Sequence, residues 1–314
     1  MRPLEIFFWH VHGSWTTAFV QGPHRYLVAT LPDRGPDGLG RARTWCWPDR
    51  VVEVGPAEAA TAPIDVVVLQ RPLDIDLAAT WLGGRRPGRD IPAVYVEHNA
   101  PQGRINDLRH PLADRSDIAL VHVTHFNSLF WDSGRSPQRV VEHGVLDPGH
   151  RFNGELPRAV AAINEPARRG RVTGTDLLGP LGAAAPIDLF GMGADALGGQ
   201  DVTQAALHTE MARRRAYVHP FRWTSLGLTL IEAMMLGLPV VALATTEAPE
   251  VVPDAAGVVS NRLTVLQDAI RTFVHDPEAG RAAGHAGRQA ALARFSVDRF
   301  LAEWDVVLDE VTAS

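Results

Sequence analysis

The sequence contains no lysine. Its 30 basic residues are all arginine, set against 36 acidic ones for a formal net charge of −6. This excludes chemistry that rests on a lysine amine, Schiff-base formation included, and leaves arginine as the permanently charged side chain for meeting an anion. The acidic balance speaks against nucleic acid as a bulk partner. A single cysteine, Cys46, rules out an internal disulfide and any multi-cysteine metal site. Set between Trp45 and Trp47, it reads as packing rather than as a nucleophile. No stretch approaches the roughly twenty apolar residues needed to cross a bilayer. The leading apolar run, Leu4–Trp9, is too short for a signal sequence and passes directly into His10 and His12. These absences lead to the expectation of a soluble, cytoplasmic protein with no transmembrane segment.

What the sequence does have is alternation. Strand-like runs recur at Leu4–Phe8, Tyr26–Leu31, Val51–Val54, Ile64–Leu69, Ala93–Val96, Ile118–Val123 and Arg139–Glu142. Helix-compatible segments such as Ile75–Leu82 and Asn127–Trp131 lie between some of them. After His143-Gly144-Val145 and the turn Asp147-Pro148-Gly149 the pattern restarts, with strands expected at Ala159–Ile163, Ile187–Phe190, Ala216–His219, Val240–Ala244 and Gly257–Val259. Helices are expected at Thr175–Leu181, Thr203–Arg214, Leu226–Leu236 and Leu263–His275, and over an amphipathic tail, Pro277–Val311. Apolar strands alternating with helices imply parallel sheets covered on both faces. The fold class is therefore α/β, with two doubly wound Rossmann-like domains, residues 1–150 and 151–294, facing across a cleft where strand carboxyl ends bind ligands.

One stretch sharpens this expectation. His219–Leu243 reads HPFRWTSLGLTLIEAMMLGLPVVAL, with one acidic residue, Glu232, among apolar neighbours. Thr224 or Ser225 can cap a helix here, Gly237 can end it, and Pro239 cannot continue it. Glu232 lies one turn from Leu228 and from Leu236, so its carboxylate needs a partner: an arginine, solvent or a ligand.

Pro220–Ala242 resembles the donor-site signature of family-4 retaining glycosyltransferases of the GT-B fold. The residues that match are Ser225-Leu226-Gly227, Glu232-Ala233-Met234, Gly237 and Pro239-Val240-Val241. His143-Gly144-Val145 is similar to the family's interdomain turn, and Gly191-Met192-Gly193 to its second-domain glycine turn. The resemblance implies a hexosyltransferase-like enzyme of carbohydrate biosynthesis. It would move a sugar from a nucleotide-diphosphate sugar to a small-molecule, saccharide or lipid-linked acceptor, with retention and with no cofactor or metal. It gives Glu232 the ribose hydroxyls, Ser225, Leu226, Gly227 and Leu228 the diphosphate through their amides, and Gly193, Gly13 and Ser14 the donor. It gives His98, after the strand Ala93–Val96, the transferred sugar. It also implies that residues 295–314 return as a helix to the first domain, with Phe295, Phe300, Trp304 and Leu308 available as anchors.

The sequence departs from the signature at three points, the first being Leu226, which stands where the family has an aromatic residue. The family's first glutamate falls on Thr224, which brings no charge. The lysine expected just before Gly174 falls on Thr173, leaving Arg168, Arg169 and Arg171 as the available cations; of these, Arg168 and Arg171 are assigned to the departing diphosphate. A non-catalytic nucleotide- or sugar-binding scaffold and a nucleotide-sugar epimerase on the same fold remain open readings.

Overall fold

Ile6 and Phe8 point to one side of the first strand and Phe7 to the other, and all three are fully enclosed. A four-residue strand apolar on both sides belongs in the middle of a sheet with both faces covered. The computed structural model, which describes residues 2–313, places it there. The elements in order are β1 (Glu5–Phe8), α1 (Gly13–Phe19), β2 (Arg25–Ala29), β3 (Val51–Val54), α2 (Pro56–Ala59), β4 (Val66–Leu69), α3 (Asp74–Trp81), β5 (Ala93–Glu97), β6 (Ala119–His122), α4 (His125–Phe130) and β7 (Gln138–Val140). They form a parallel seven-stranded sheet in the order β3-β2-β1-β4-β5-β6-β7.

The second half continues with β8 (Leu156–Ala162), α5 (Pro166–Thr173), α6 (Leu178–Gly182), β9 (Ile187–Phe190), α7 (Gln204–Arg213), β10 (Arg214–His219), α8 (Leu228–Leu236), β11 (Val240–Ala242), α9 (Ala248–Val251), β12 (Gly257–Val259), α10 (Leu263–His275), α11 (Pro277–Phe295) and α12 (Val297–Ala313). Its sheet is parallel and five-stranded, ordered β12-β11-β10-β8-β9. The chain divides into two units, one made of residues up to Gly144 with those from Val297 on, the other of Val145–Ser296.

In the first unit, one face of the sheet is covered by Trp15 and Phe19 of α1 and by Phe300, Trp304, Val307 and Leu308 of α12. Full burial of such side chains stabilises by about 1.5–3 kcal/mol each, so α12 is a structural part of this unit. Trp81 of α3 and Ala59 of α2 pack on the opposite face. In the second unit, α8 and α11 cover one face, and α10 with Leu181 of α6 covers the other.

The tail differs from the expectation of one continuous helix. It breaks at Ser296, an extended residue, and Phe295 joins the second unit's core rather than anchoring to the first. The segment after β1, which holds Gly13 and Ser14, forms the first turn of α1: the backbone N–H of Thr16 donates to the His12 carbonyl at 2.8 Å.

Candidate active site

In the second sheet the strand order turns at β8, with β10 on one side and β9 on the other. The carboxyl ends of β8 and β10 flank the switch point, the usual ligand position in such sheets. Two segments leave the sheet there, residues 163–174 after β8 and 220–227 after β10, and the structure ties them together. The backbone N–H groups of Arg222 and Trp223 donate to the Val172 carbonyl at 2.9 and 3.1 Å. The Arg222 guanidinium reaches the Arg171 carbonyl at 2.9 Å and both oxygens of Asp176 at 2.6 and 2.9 Å. Gly174 makes this approach possible, since a Cβ there would lie 1.8 Å from the Pro220 carbonyl oxygen. A third segment closes the rim: Glu165 N–H donates to the Met192 carbonyl at 2.7 Å, and Met192 N–H to Asn164 Oδ1 at 3.0 Å. Gly193 thus joins the same rim, at φ +70° and with no atom nearer than 3.9 Å to where its Cβ would be. Glu165 itself has φ +52°, a backbone conformation that non-glycine residues adopt at a cost.

The helix start differs from the expectation. Neither Thr224 nor Ser225 caps α8; the cap position is Gly227, with no side-chain bond. The reason is packing, because a Cβ at Gly227 would fall 2.8 Å from His219 Cε1 and 2.9 Å from the Phe221 ring. Pressed onto those rings, the loop stays extended to Gly227. The backbone N–H groups of Leu226, Gly227 and Leu228 consequently donate no hydrogen bond among the described residues, at the positive end of a nine-residue helix. Ser225 is buried, and the Thr224 hydroxyl is enclosed without a partner among the described residues. Burial lowers the His219 pKa to about 3, so this floor is neutral near pH 7.

Glu232, one turn into α8, is buried. Its carboxylate accepts from Gln204 Nε2 at 2.8 Å and meets His208 Nε2 at 3.2 Å, both on α7. Its partners are therefore an amide and an imidazole, and neither is an arginine. The sequence held a signal for this pair, two polar residues four apart on one helix, but not for which carboxylate they face.

The nominated cations are already occupied. Arg168 pairs with Glu165, and Arg171 with Asp176 at 3.2 Å; both side chains are largely exposed. Arg169 between them is half-buried, and its guanidinium makes no hydrogen bond or ion pair among the described residues. Burial and the neighbouring Arg168 depress its guanidinium pKa. Thr173, at the expected lysine position, is fully buried and bonds to the Gly170 carbonyl at 3.3 Å.

The first unit gathers a second group of residues. The His98 ring, after β5, lies 3.9 Å from that of His12 and 5.1 Å from that of Trp15, and its Nε2 is enclosed without a partner among the described residues. Burial, His12 and His143 hold the His98 pKa well below the usual imidazole value. Glu97 pins this turn: its carboxylate accepts from Asn99 N–H at 2.6 Å and from His110 Nε2 at 2.9 Å. Because His110 Nδ1 accepts from Leu112 N–H at 3.0 Å, the proton sits on Nε2. Gly13 and Ser14 open α1, and the Trp45 indole covers Gly13, with 2.4 Å between the ring and where a Cβ would be. Among the described residues no three His, Cys, Asp or Glu side chains group to hold a metal ion, and no helix is long and apolar enough to cross a membrane.

Residues 196–290 match the family model described as glycosyl transferases group 1. No curated protein matches the chain by sequence. Among solved structures, the chain is similar to sucrose-phosphate synthase from Thermosynechococcus elongatus (TM-score 0.71, 13% identity, covering 99% of each chain). It is also similar to HepE from Anabaena in complex with UDP (TM-score 0.66, 15% identity, covering 98% of this chain and 100% of the other). A third likeness is to the pneumococcal O-GlcNAc transferase GtfA in complex with UDP and GlcNAc (TM-score 0.61, 12% identity, covering 79% of this chain and 57% of the other). The fold is GT-B, and the match of residues 196–290, within the second unit, to the glycosyl transferases group 1 model supports an enzyme of the glycosyltransferase type.

Proposed function

We propose that the protein transfers a sugar from a nucleoside-diphosphate sugar to a hydroxyl-bearing acceptor, with retention at the anomeric carbon. One observation carries this reading: three segments laced together at the β8/β10 switch point leave a row of undonated amides and an enclosed, unpartnered hydroxyl. Undonated amides at a helix start suit a diphosphate. The HepE structures with UDP and with UDP-glucose support a nucleotide-sugar donor by likeness of fold.

In this reading Leu226, Gly227 and Leu228, with Ser225, hold the diphosphate, and Glu232 takes the ribose. The leaving group's charge is met by Arg169, with Arg168 and Arg171 able to exchange their exposed carboxylate partners for phosphate. Such stabilisation of a leaving group in a preorganised site is the main catalytic effect expected. Thr224 and Gly193 face the donor; in the first unit His98, Gly13 and Ser14 are assigned to the sugar. His98 is neutral near pH 7, suited to hydrogen bonding with hydroxyls rather than to charge pairing. No resident metal or cofactor is part of the reading.

A thermal-shift screen of UDP-, GDP- and ADP-sugars, followed by donor hydrolysis with and without EDTA, tests it. At about a hundredfold excess over its Kd a bound donor adds about 2.7 kcal/mol, a clear rise in Tm. The cognate donor should also be hydrolysed slowly, and at the same rate with EDTA present. Binding without hydrolysis or transfer would favour a scaffold, and release of an isomeric nucleotide sugar an epimerase.

A further inference from the structure

The carboxylate of Glu232 is nearly dry, with 7% of its side chain exposed, on a helix whose neighbouring residues Leu230, Ile231, Ala233 and Met234 are buried apolar groups. An ionised carboxylate there needs all its acceptor sites filled. The structure fills two of about four: Gln204 Nε2 donates to Oε1 at 2.8 Å, and His208 Nε2 lies 3.2 Å from Oε2. Among the described residues no other side chain bonds to this carboxylate.

The three groups fix one another. Gln204 Nε2 also lies 3.1 Å from His208 Nε2; with the imidazole proton on Nε2 this is a contact between two donors that both aim at the carboxylate, not a hydrogen bond. Were the imidazole proton on Nδ1, the Nε2 lone pair would face a carboxylate lone pair at hydrogen-bond distance. The proton therefore belongs on Nε2, which donates to Oε2 while the Gln204 amide donates to Oε1. One donor on each oxygen stops rotation about the last side-chain bond and leaves one free lone pair per oxygen. Two adjacent acceptors held in a fixed plane match two adjacent hydroxyls. The platform behind them is rigid: Gln204 and His208 lie one turn apart on α7, which Thr203 caps and which Met211 and Ala212 seat in the core.

We infer that Gln204 and His208 are positioning residues that hold Glu232 as a two-pronged acceptor for a ribose diol, and that they set the preference for a ribonucleoside over a 2′-deoxyribonucleoside diphosphate. This rests on the donor reading above.

Calorimetry on the full chain tests it, with UDP, GDP and ADP each compared with its 2′-deoxy and 2′,3′-dideoxy forms. The wild-type protein should bind one ribonucleotide about tenfold or more tightly than its deoxy form, the loss expected for one hydrogen bond to a charged group. In Gln204→Ala and His208→Ala that ratio should fall to about threefold or less, with affinity for the 2′,3′-dideoxy form, which offers neither hydroxyl, unchanged within about twofold. The unchanged dideoxy affinity also reports that the site is still folded. His208→Gln, which keeps an N–H in reach of Oε2, should restore most of the ratio. A ratio that stays at the wild-type value in both alanine variants overturns the inference and leaves the donor reading standing. A wild-type protein that binds a nucleotide without discriminating ribose removes Glu232 as the ribose group, and the clamp with it. Absence of binding to any of these nucleotides would sink the donor reading itself.

Discussion

Thr224 shows how far a residue's identity can be read and where reading stops. The surrounding motif marked this position as the one where a glutamate is expected. Only the structure shows that the threonine hydroxyl is enclosed and without a partner among the described residues. An enclosed hydroxyl left without a partner is unfavourable by about 1–3 kcal/mol, a deficit that a bound ligand would remove. Thr224→Glu should therefore shift the ranking of kcat/KM across a donor panel, because a carboxylate placed there penalises the native sugar. A uniform rise on every donor would instead identify the threonine as a lesion. Glu232→Ala should weaken binding of the cognate nucleotide by about 2–3 kcal/mol, the loss of charge-assisted bonds. Unchanged affinity by calorimetry would free Glu232 from the ribose. Arg169 was among the cations visible in the sequence, but nothing in the run of arginines distinguishes it from Arg168 and Arg171. That distinction comes from Glu165 and Asp176, which occupy its neighbours.

At the scale of elements, the strands were legible because most are short apolar runs, the central ones enclosed on both faces, and all of the expected runs lie in the two sheets of seven and five strands. Some short helices were not. α1 starts Gly-Ser with no side-chain cap, and α5 carries a non-helical glycine, Gly170, in its interior; neither has an apolar period long enough to see. Close approaches were equally hidden. Gly284 of α11 and Gly174, which follows α5 and abuts the loop after β10, each sit where an added Cβ would lie 1.8 Å from a backbone oxygen, that of Gly237 and that of Pro220 respectively. Alanine at either should destabilise the second unit by about 1–3 kcal/mol through overpacking, with Gly174 carrying the added strain of φ +70°. The two should differ in function. Gly174→Ala displaces Pro220 and the loop after it, so nucleotide affinity should fall together with the urea midpoint, whereas Gly284→Ala should lower the midpoint and leave affinity in the folded protein intact. Equal affinity losses in both would mean that the Gly174 contact does not position the loop after β10 for nucleotide.

For the whole molecule, the distribution of buried histidines makes a statement about acid. In the first unit burial lowers His12 and His122 to about 4 and His143 to about 3, and His98 lies well below its ordinary value. The second unit has His219, at about 3, as its group of this kind among the described residues. A histidine whose folded pKa is depressed binds fewer protons folded than unfolded below pH 6.5, so its contribution is complete above that value and is withdrawn as pH falls toward the folded pKa. Each group can withdraw up to about 1.4 kcal/mol per pH unit across that window. Asp74, raised by burial, acts in the opposite sense, in the range just above the ordinary carboxylate pKa. The first unit should therefore lose stability faster than the second between pH 7 and pH 5. Its tryptophans allow this to be seen, since Trp223 alone of the eight lies in the second unit. The urea midpoint followed by tryptophan fluorescence should drop over this range by more than the midpoint followed by far-ultraviolet circular dichroism, which reports both units. His143→Asn, which removes one depressed group, should flatten the fluorescence dependence. A fluorescence midpoint that is constant or rises from pH 7 to pH 5 would show that these histidines are not held neutral by the fold, and would withdraw the neutral imidazole assigned to His98.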